Sequence, residues 1–391
     1  MQQEQVFFSI LRSVLWGTPS TPPTDTDWKG VLNLSARQSC LHAFSLWMKI
    51  QRINCPYTLQ LQPVMFQTLQ RQARLNHFTA QVIRILQDQQ IPATLIKGYS
   101  LSALYPDPDM RQFGDVDIYV GETNYHKAAK AVTQAFPQAH WHSDIRGGIH
   151  FSLVVDENID RVVELHRVTM EFPNTYANQL FQDFTHKHLD TAGHTINIYD
   201  QPVRVPSVAY NALYVFMHAW HHFESTGVGF RQLGDWALCL YHAHQQSSPQ
   251  EWQTLSHDID SILTALHMKT AWQTFGHLLV NQLGLPAEAF PLYTTRYQSR
   301  AKRLLRQMLR DGHGGRPAMG QKMPQDTDAQ TSTHLLLMKR FPWERPASNR
   351  FRQKGYTLLR LLFETIQMAK LFPGYAWNEL MATIGAAIKS K

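Results

Sequence analysis

Cysteine is scarce: Cys40, Cys55 and Cys239 are the only three in 391 residues, too scattered for a CxxC metal motif or a disulfide framework. They are expected to be ordinary reduced thiols. Charge is scarce too, with Asp, Glu, Lys and Arg at 17% against the roughly 25% of an average soluble domain. The 43% hydrophobic content is nevertheless that of a folded chain, because disorder requires low hydrophobicity together with high net charge. Long apolar runs are missing. The best N-terminal run, Val6 to Leu11, is cut by Arg12, well short of the roughly 18 residues that a spanning helix needs. That segment carries Glu4 in place of a basic n-region and no small-residue cleavage site follows it, so no secretory signal is expected and the cytoplasm is the expected compartment.

What charge there is lies unevenly. Residues 296–391 hold 18 Lys and Arg against 6 Asp and Glu, whereas the preceding 295 hold 19 against 24. The basic C-terminal quarter suits a polyanion such as a nucleoside triphosphate, nucleic acid or an acidic surface; a set of solvated helix faces accounts for it equally. At about 150 residues per domain, the length predicts two or three structural units.

The pattern divides the chain into three: a helical segment over 1–87, an α/β core over 88–200 and a helical region over 201–391 that ends in the basic tail. Apolar residues spaced three to four apart (Val31, Leu34, Leu41, Phe44, Met48, then Phe66 to Leu86) predict helices in the first segment. In the second, Ala93 to Ile96 and Asp115 to Val120 read as strands, with a helical stretch from Gly98 to Tyr105 and a helix from Thr123 to Phe136. After Gly147-Gly148, Ile149 to Val155 and Arg161 to Arg167 read as a hairpin about the polar turn Asp156 to Asp160. Strands mixed with helices make an α+β chain with a small mixed sheet between helical regions. Beyond Pro206 the pattern is helical, broken at Gln245 to Pro249 and at the glycine-rich Asp311 to His334, which is expected to be a functional or disordered loop.

Asp115 and Asp117 alternate along their strand, so both side chains leave the same face while Val116 and Ile118 point into the core. Two adjacent carboxylates repel, and one has its pKa raised unless a cation sits between them. Hard oxygen ligands suit Mg²⁺ or Mn²⁺, the ions that clamp attacking and leaving oxygens in phosphoryl displacement. Glu164, a charged residue on a largely apolar strand and on the same face as Val162 and His166, is the candidate third metal ligand or the base that takes an acceptor's proton. Lys97-Gly98 opens a helix, where glycine lets backbone N–H groups approach a phosphate and Lys97 adds a charge; Ser100 is an alternative phosphate contact, and Tyr99 stacks or packs. Arg111, just before the acidic strand, either reaches a phosphate or pairs with Asp107 or Asp109.

Ile91 to Pro108, with its Lys-Gly turn and Tyr-Pro-x-Pro segment, then Arg111-Gln-Phe-Gly-Asp-Val-Asp-Ile-Tyr-Val120, then Val163-Glu-Leu-His-Arg167, resemble the uncharacterised bacterial nucleotidyltransferases of the polymerase-beta-like superfamily. Gly227 to Trp236, with His218 and His222 before it, is similar to the helical half of those proteins. The resemblance implies that Asp115 and Asp117 hold metal ions, that Glu164 is the third carboxylate, and that Lys97, Gly98, Ser100, Arg111, His166 and Arg231 bind the nucleotide, with ATP the expected triphosphate. It implies transfer of a nucleoside monophosphate to an acceptor hydroxyl on a small molecule, protein or RNA. One position departs from the wider superfamily: Gly98 is followed by Tyr99 rather than a second small residue.

The same residues admit other readings. A D-x-D also serves nucleotide-sugar glycosyltransferases, but those need a larger parallel sheet before it, and helices precede this one. A non-catalytic nucleotide- or RNA-binding module would keep the sheet and use the basic tail, though the intact acids argue against degeneration. His218 and His222, four apart, suit a metal but lack the H-E-x-x-H pattern. Arg231 and Asp235, also four apart, read as a helix ion pair, or Arg231 faces the nucleotide or acceptor. Arg296, Arg300, Arg303 and Arg310 interleave with Tyr297, Ala301, Leu304, Leu305 and Met308 as a basic amphipathic helix, expected to dock on the core because its apolar face carries no Trp or Phe for a membrane surface.

Overall fold

Four helices open the chain in the computed structural model: α1 (Gln2–Trp16), α2 (Trp28–Arg37), α3 (Leu41–Ile50) and α4 (Thr58–Asp88). The structure describes residues 2–142, 150–156, 161–172, 174–225, 227–312 and, within 365–381, all but 367 and 379. Asp27 caps α2 by accepting from the Gly30 amide, and the apolar stripe read from the sequence is the buried one, with Val31, Leu34, Phe44 and Met48 inside. These helices join α8 (Val208–Ser225), α9 (Phe230–Gln246), α10 (Pro249–Ala265), α11 (Lys269–Leu278) and α12 (Gln298–Asp311) in one hydrophobic core. The first and last thirds of the chain therefore share an interior, with Phe7 and Phe8 edge-on to Phe230 of α9.

A seven-stranded mixed sheet lies between them in the sequence, in the order β3-β4-β5-β2-β1-β7-β6. Its strands are β1 (Thr94–Leu95), β2 (Val116–Tyr119), β3 (His140–His142), β4 (His150–Asp156), β5 (Arg161–His166), β6 (His194–Ile198) and β7 (Gln201–Val205). The pair β2–β5 is parallel, as is β1–β7, and the remaining neighbours are antiparallel. One sheet face packs on the second half of α4 and on α6 (Tyr125–Ala135) in a second core of Phe78, Val82, Leu86, Val116, Ile118, Val132, Val163 and Leu165. The long α4 thus serves both cores.

The strands about Leu95, Ile118 and Leu165 stand where the sequence puts them. Strands β3, β6 and β7 do not follow from it: His140–His142 is too short and polar to signal, and β6 carries exposed His194 and Thr195 at an edge that needs little hydrophobicity. The sheet runs on past residue 200 to Val205, since β7 pairs with β1. The helical stretch expected after Gly98 is one turn, α5 (Tyr99–Ser102). Helix α12 docks by Ala301, Leu304 and Met308 against α11 and α2, leaving Arg303, Arg306 and Arg310 exposed and Arg300 half-buried. No described helix is long and apolar enough to cross a membrane. Of the expected loops, Gly147-Gly148, residues 157–160 and 313–334 lie outside the described residues.

Candidate active site

Parallel pairing of β2 with β5 sets Asp117 beside Glu164 and Tyr119 beside His166. Because side chains alternate, Val116, Ile118, Val163 and Leu165 fill the core beneath, and the polar set leaves the opposite face. The antiparallel neighbour β4 brings Ser152 opposite Glu164, and the Ser152 hydroxyl donates to Glu164 Oε1 at 3.4 Å. Asp117 is fully buried, so its charge must be compensated locally.

Lys97 supplies part of that compensation. Its Nζ lies 2.6 Å from Asp117 Oδ1 and donates to His218 Nε2 of α8 at 3.0 Å. His166 Nε2 lies 3.2 Å from the same Asp117 oxygen and 3.6 Å from Glu164 Oε2. Burial pushes the Asp117 carboxyl up, but the Lys97 charge and the hydrogen bonds from His166 and Lys97 outweigh it and hold the group below the usual carboxylate range. His166 is raised: burial opposes its charge, and its bonds to Asp117 and Glu164 win. His218 goes the other way, lowered well below its usual value by burial and by the Lys97 charge. It is therefore a neutral imidazole that accepts from Lys97 through Nε2.

Asp115, just ahead of β2, has its carboxyl raised, first by the negative charge of Asp117 and second by burial, with Lys97 and Arg231 opposing. Asp117, Glu164 and His166 are a candidate metal-binding group. Asp117 Oδ2 is buried with no hydrogen-bond partner, and ligand atoms of Asp117, Glu164 and His166 all lie within 4.8 Å of one another. Carboxylate oxygens with one imidazole suit Mn²⁺, and Mg²⁺ with water completing its shell. Asp115 does not join these three within that distance, though the Asp117 charge acts on it most strongly.

The turn at Gly98 has φ +64°, a backbone conformation that favours glycine. Its carbonyl accepts from Arg111 Nη1 at 2.8 Å, and Ser102 Oγ donates to it at 3.4 Å. Ser100 is buried with its hydroxyl on the Lys97 carbonyl, and half-buried Tyr99 packs against the core beneath the sheet. Arg111 pairs with neither Asp107 nor Asp109. Its guanidinium is buried and forked onto Asp235 of α9, Nε to Oδ1 at 2.7 Å and Nη2 to Oδ2 at 3.0 Å. A buried guanidinium needs a carboxylate at fork geometry, and half-buried Asp107 and exposed Asp109 at the surface turn do not supply one. Tyr105 also donates to Asp235 Oδ1, at 2.8 Å. Arg231 makes the helix pair with Asp235 at 3.4 Å and stays half-buried, near enough to Asp115 to oppose its upward shift.

Sequence reasoning missed two partnerships, Lys97 with His218 and Arg111 with Asp235. They span 121 and 124 residues, and neither carries a local signal. His218 invited notice through its spacing from His222, but its Nε2 is engaged by Lys97 rather than offered to a metal.

The profile of a family described as uncharacterised nucleotidyltransferase matches residues 24–273, well over half of the chain. No curated protein matches the sequence. Among solved structures, the chain is similar to an antigenic nucleotidyltransferase-like protein from Paracoccidioides brasiliensis, at 17% identity and a TM-score of 0.33, over 54% of this chain and 92% of that one.

Proposed function

The chain belongs to the family of uncharacterised nucleotidyltransferases, and on that premise we propose that it transfers a nucleoside monophosphate from a triphosphate, ATP foremost, to an acceptor hydroxyl. The acceptor oxygen forms a bond to the α-phosphorus, the bond to the bridging oxygen breaks, and pyrophosphate leaves with the electron pair. The observation that carries this reading is the buried Asp117 beside Glu164 on adjacent parallel strands, with Asp117 Oδ2 unpaired.

Asp117, Glu164 and His166 would hold a Mg²⁺ or Mn²⁺ ion, with Asp115 as the neighbouring acid, and the ion would supply neutralisation and orientation of the triphosphate. Glu164, the most exposed acid of that trio, takes the acceptor's proton. Lys97, Gly98 and Ser100 border the triphosphate, Lys97 bringing the ammonium that Asp117 holds in the free protein. Arg231, half-buried beside Asp115, faces the nucleotide. Arg111 is not a ligand in this account: it fixes the Gly98 carbonyl. Catalysis by such a set is positioning and charge neutralisation, as is usual for phosphoryl transfer.

The test is release of pyrophosphate from each nucleoside triphosphate with Mg²⁺ or Mn²⁺ and a cell extract as acceptor pool. Release only with an acceptor fraction present supports the reading; hydrolysis to free monophosphate alone, in every fraction, refutes transfer. A second test reads the metal without turnover. Lys97→Met leaves Asp117 without its 2.6 Å cation, so Mn²⁺ should raise the melting temperature of this variant more than that of the wild type. At a hundredfold excess over Kd the gain should be about 2.7 kcal/mol. Equal shifts in Lys97→Met and Asp117→Asn would remove the cation from this site.

A further inference from the structure

A second constellation lies away from the sheet, at the start of α12. A cavity of about 300 Å³ is lined by His267, Arg296, Tyr297, Arg300, Phe372 and Tyr375, among others. That volume is at the lower end for a small-molecule site. Arg296 and Arg300 both lie over the Tyr297 ring, at 5.6 and 5.3 Å, and Arg300 also lies over Phe372 at 5.9 Å. Aromatic faces hold the two guanidiniums, and among the described residues no hydrogen bond engages their in-plane N–H groups. Neither guanidinium has a carboxylate partner among the described residues, whereas buried Arg111 and exposed Arg310 each do.

Such an arrangement costs stability in the empty protein. Arg300 and Arg303 are like charges three residues apart on α12, Arg296 lies just ahead of the helix, and the first turn of α12 carries no acid to complement its positive end. Burial and the Arg303 charge lower the half-buried Arg300 from its usual value. Two guanidiniums lining a half-open space of this size, Arg300 half-buried and Arg296 exposed, match the fork geometry of a phosphoryl group. The aromatic walls and Pro373 add apolar contact for the part that bears it.

We propose that this cavity is a binding site for a small organic phosphate, with Arg296 and Arg300 on the phosphoryl group. The site is separate from the carboxylates on β2 and β5 and shares no residue with them. It stands whether or not those carboxylates support nucleotidyl transfer.

The test is isothermal titration of the full-length chain, without divalent metal, using inorganic phosphate, AMP and glucose 6-phosphate as probes. Four proteins are compared: wild type, Arg296→Gln/Arg300→Gln, Arg303→Gln and Asp117→Asn. The proposal predicts that at least one ester binds more tightly than inorganic phosphate, and that the double variant weakens it by about a hundredfold, since each charged hydrogen-bonding partner is worth about one decade. Arg303→Gln and Asp117→Asn should bind as the wild type does. Thermal melting of the double variant checks that it is folded; should it not be, Arg300→Lys, which keeps the charge but loses the fork, must weaken binding by a smaller factor. Absence of binding by all probes, binding unchanged in the folded Arg variants, or binding lost in Asp117→Asn instead would overturn the proposal.

Discussion

Asp235→Ala should lower the stability of the chain by about 3–5 kcal/mol, because it strands the buried Arg111 guanidinium without its carboxylate. Arg111 is 5% exposed and gives Asp235 two bonds at 2.7 and 3.0 Å, while Tyr105 gives a third at 2.8 Å. Truncating either member leaves a desolvated charge uncompensated, which is the costly case for a buried pair. The double variant Arg111→Met/Asp235→Leu should recover much of the loss, since replacing both partners by apolar groups removes the stranded charge. Denaturant melts of Asp235→Ala, Arg111→Met and the double variant check this. Additive losses in the double variant would mean that the two residues are not a coupled pair. The pair also ties α9 to the turn before α5, because Arg111 Nη1 holds the Gly98 carbonyl at 2.8 Å. Loss of the pair should therefore loosen the Gly98 turn as well as the helical core.

Asp117→Asn should cut nucleotidyl transfer by about a thousandfold, a barrier increase of about 4 kcal/mol, the scale of several kcal/mol that a bound cation supplies to developing charge. Asparagine keeps the shape of the side chain but removes the charge that faces Lys97 and His166. Its amide is a weak ligand for a hard cation, so the loss should not be recovered by raising Mg²⁺ or Mn²⁺ within a few-fold. Circular dichroism of the variant shows whether the sheet persists. Transfer within tenfold of wild type in a folded Asp117→Asn protein would exclude Asp117 from the chemistry.

The central sheet was legible because its strands β2 and β5 are short apolar runs interrupted by acids at the alternate positions, a pattern that a solvated loop does not give. The pairing of Asp117 with Glu164 was foreseen only as two acids on nearby strands. The register that sets them side by side depends on β5 running parallel to β2, which no local pattern encodes. The same limit hid Asp235 as the partner of Arg111 and His218 as the partner of Lys97, since the residues of each pair lie more than a hundred positions apart. Hairpin β6–β7 escaped notice for a different reason. Its edge strand, His194–Ile198, is mostly polar and solvent-facing, and only Val203 and Val205 of β7 reach the core fully. The sharing of one interior by the first helices and the last was likewise invisible, since amphipathic periodicity tells which face is buried and not against what.

The described part of the basic C-terminal quarter is more than a solvated face. Helix α12 keeps most of its arginines in solvent, but Arg300 is half-buried and turned into a cavity with Arg296. Periodicity in the sequence identified the helix, and only the packing of residues 371–375 against Trp220 and Phe275 bounds the space.

Label transfer from α-³²P-labelled nucleoside triphosphates tests the central claim most directly, with the purified chain, Mg²⁺ or Mn²⁺, a fractionated cell extract as acceptor, and Asp117→Asn beside the wild type. The account predicts that label enters an RNA, protein or small-molecule fraction with the wild type only, together with an equal amount of pyrophosphate. Label entering the same fraction with folded Asp117→Asn at an undiminished rate would contradict it.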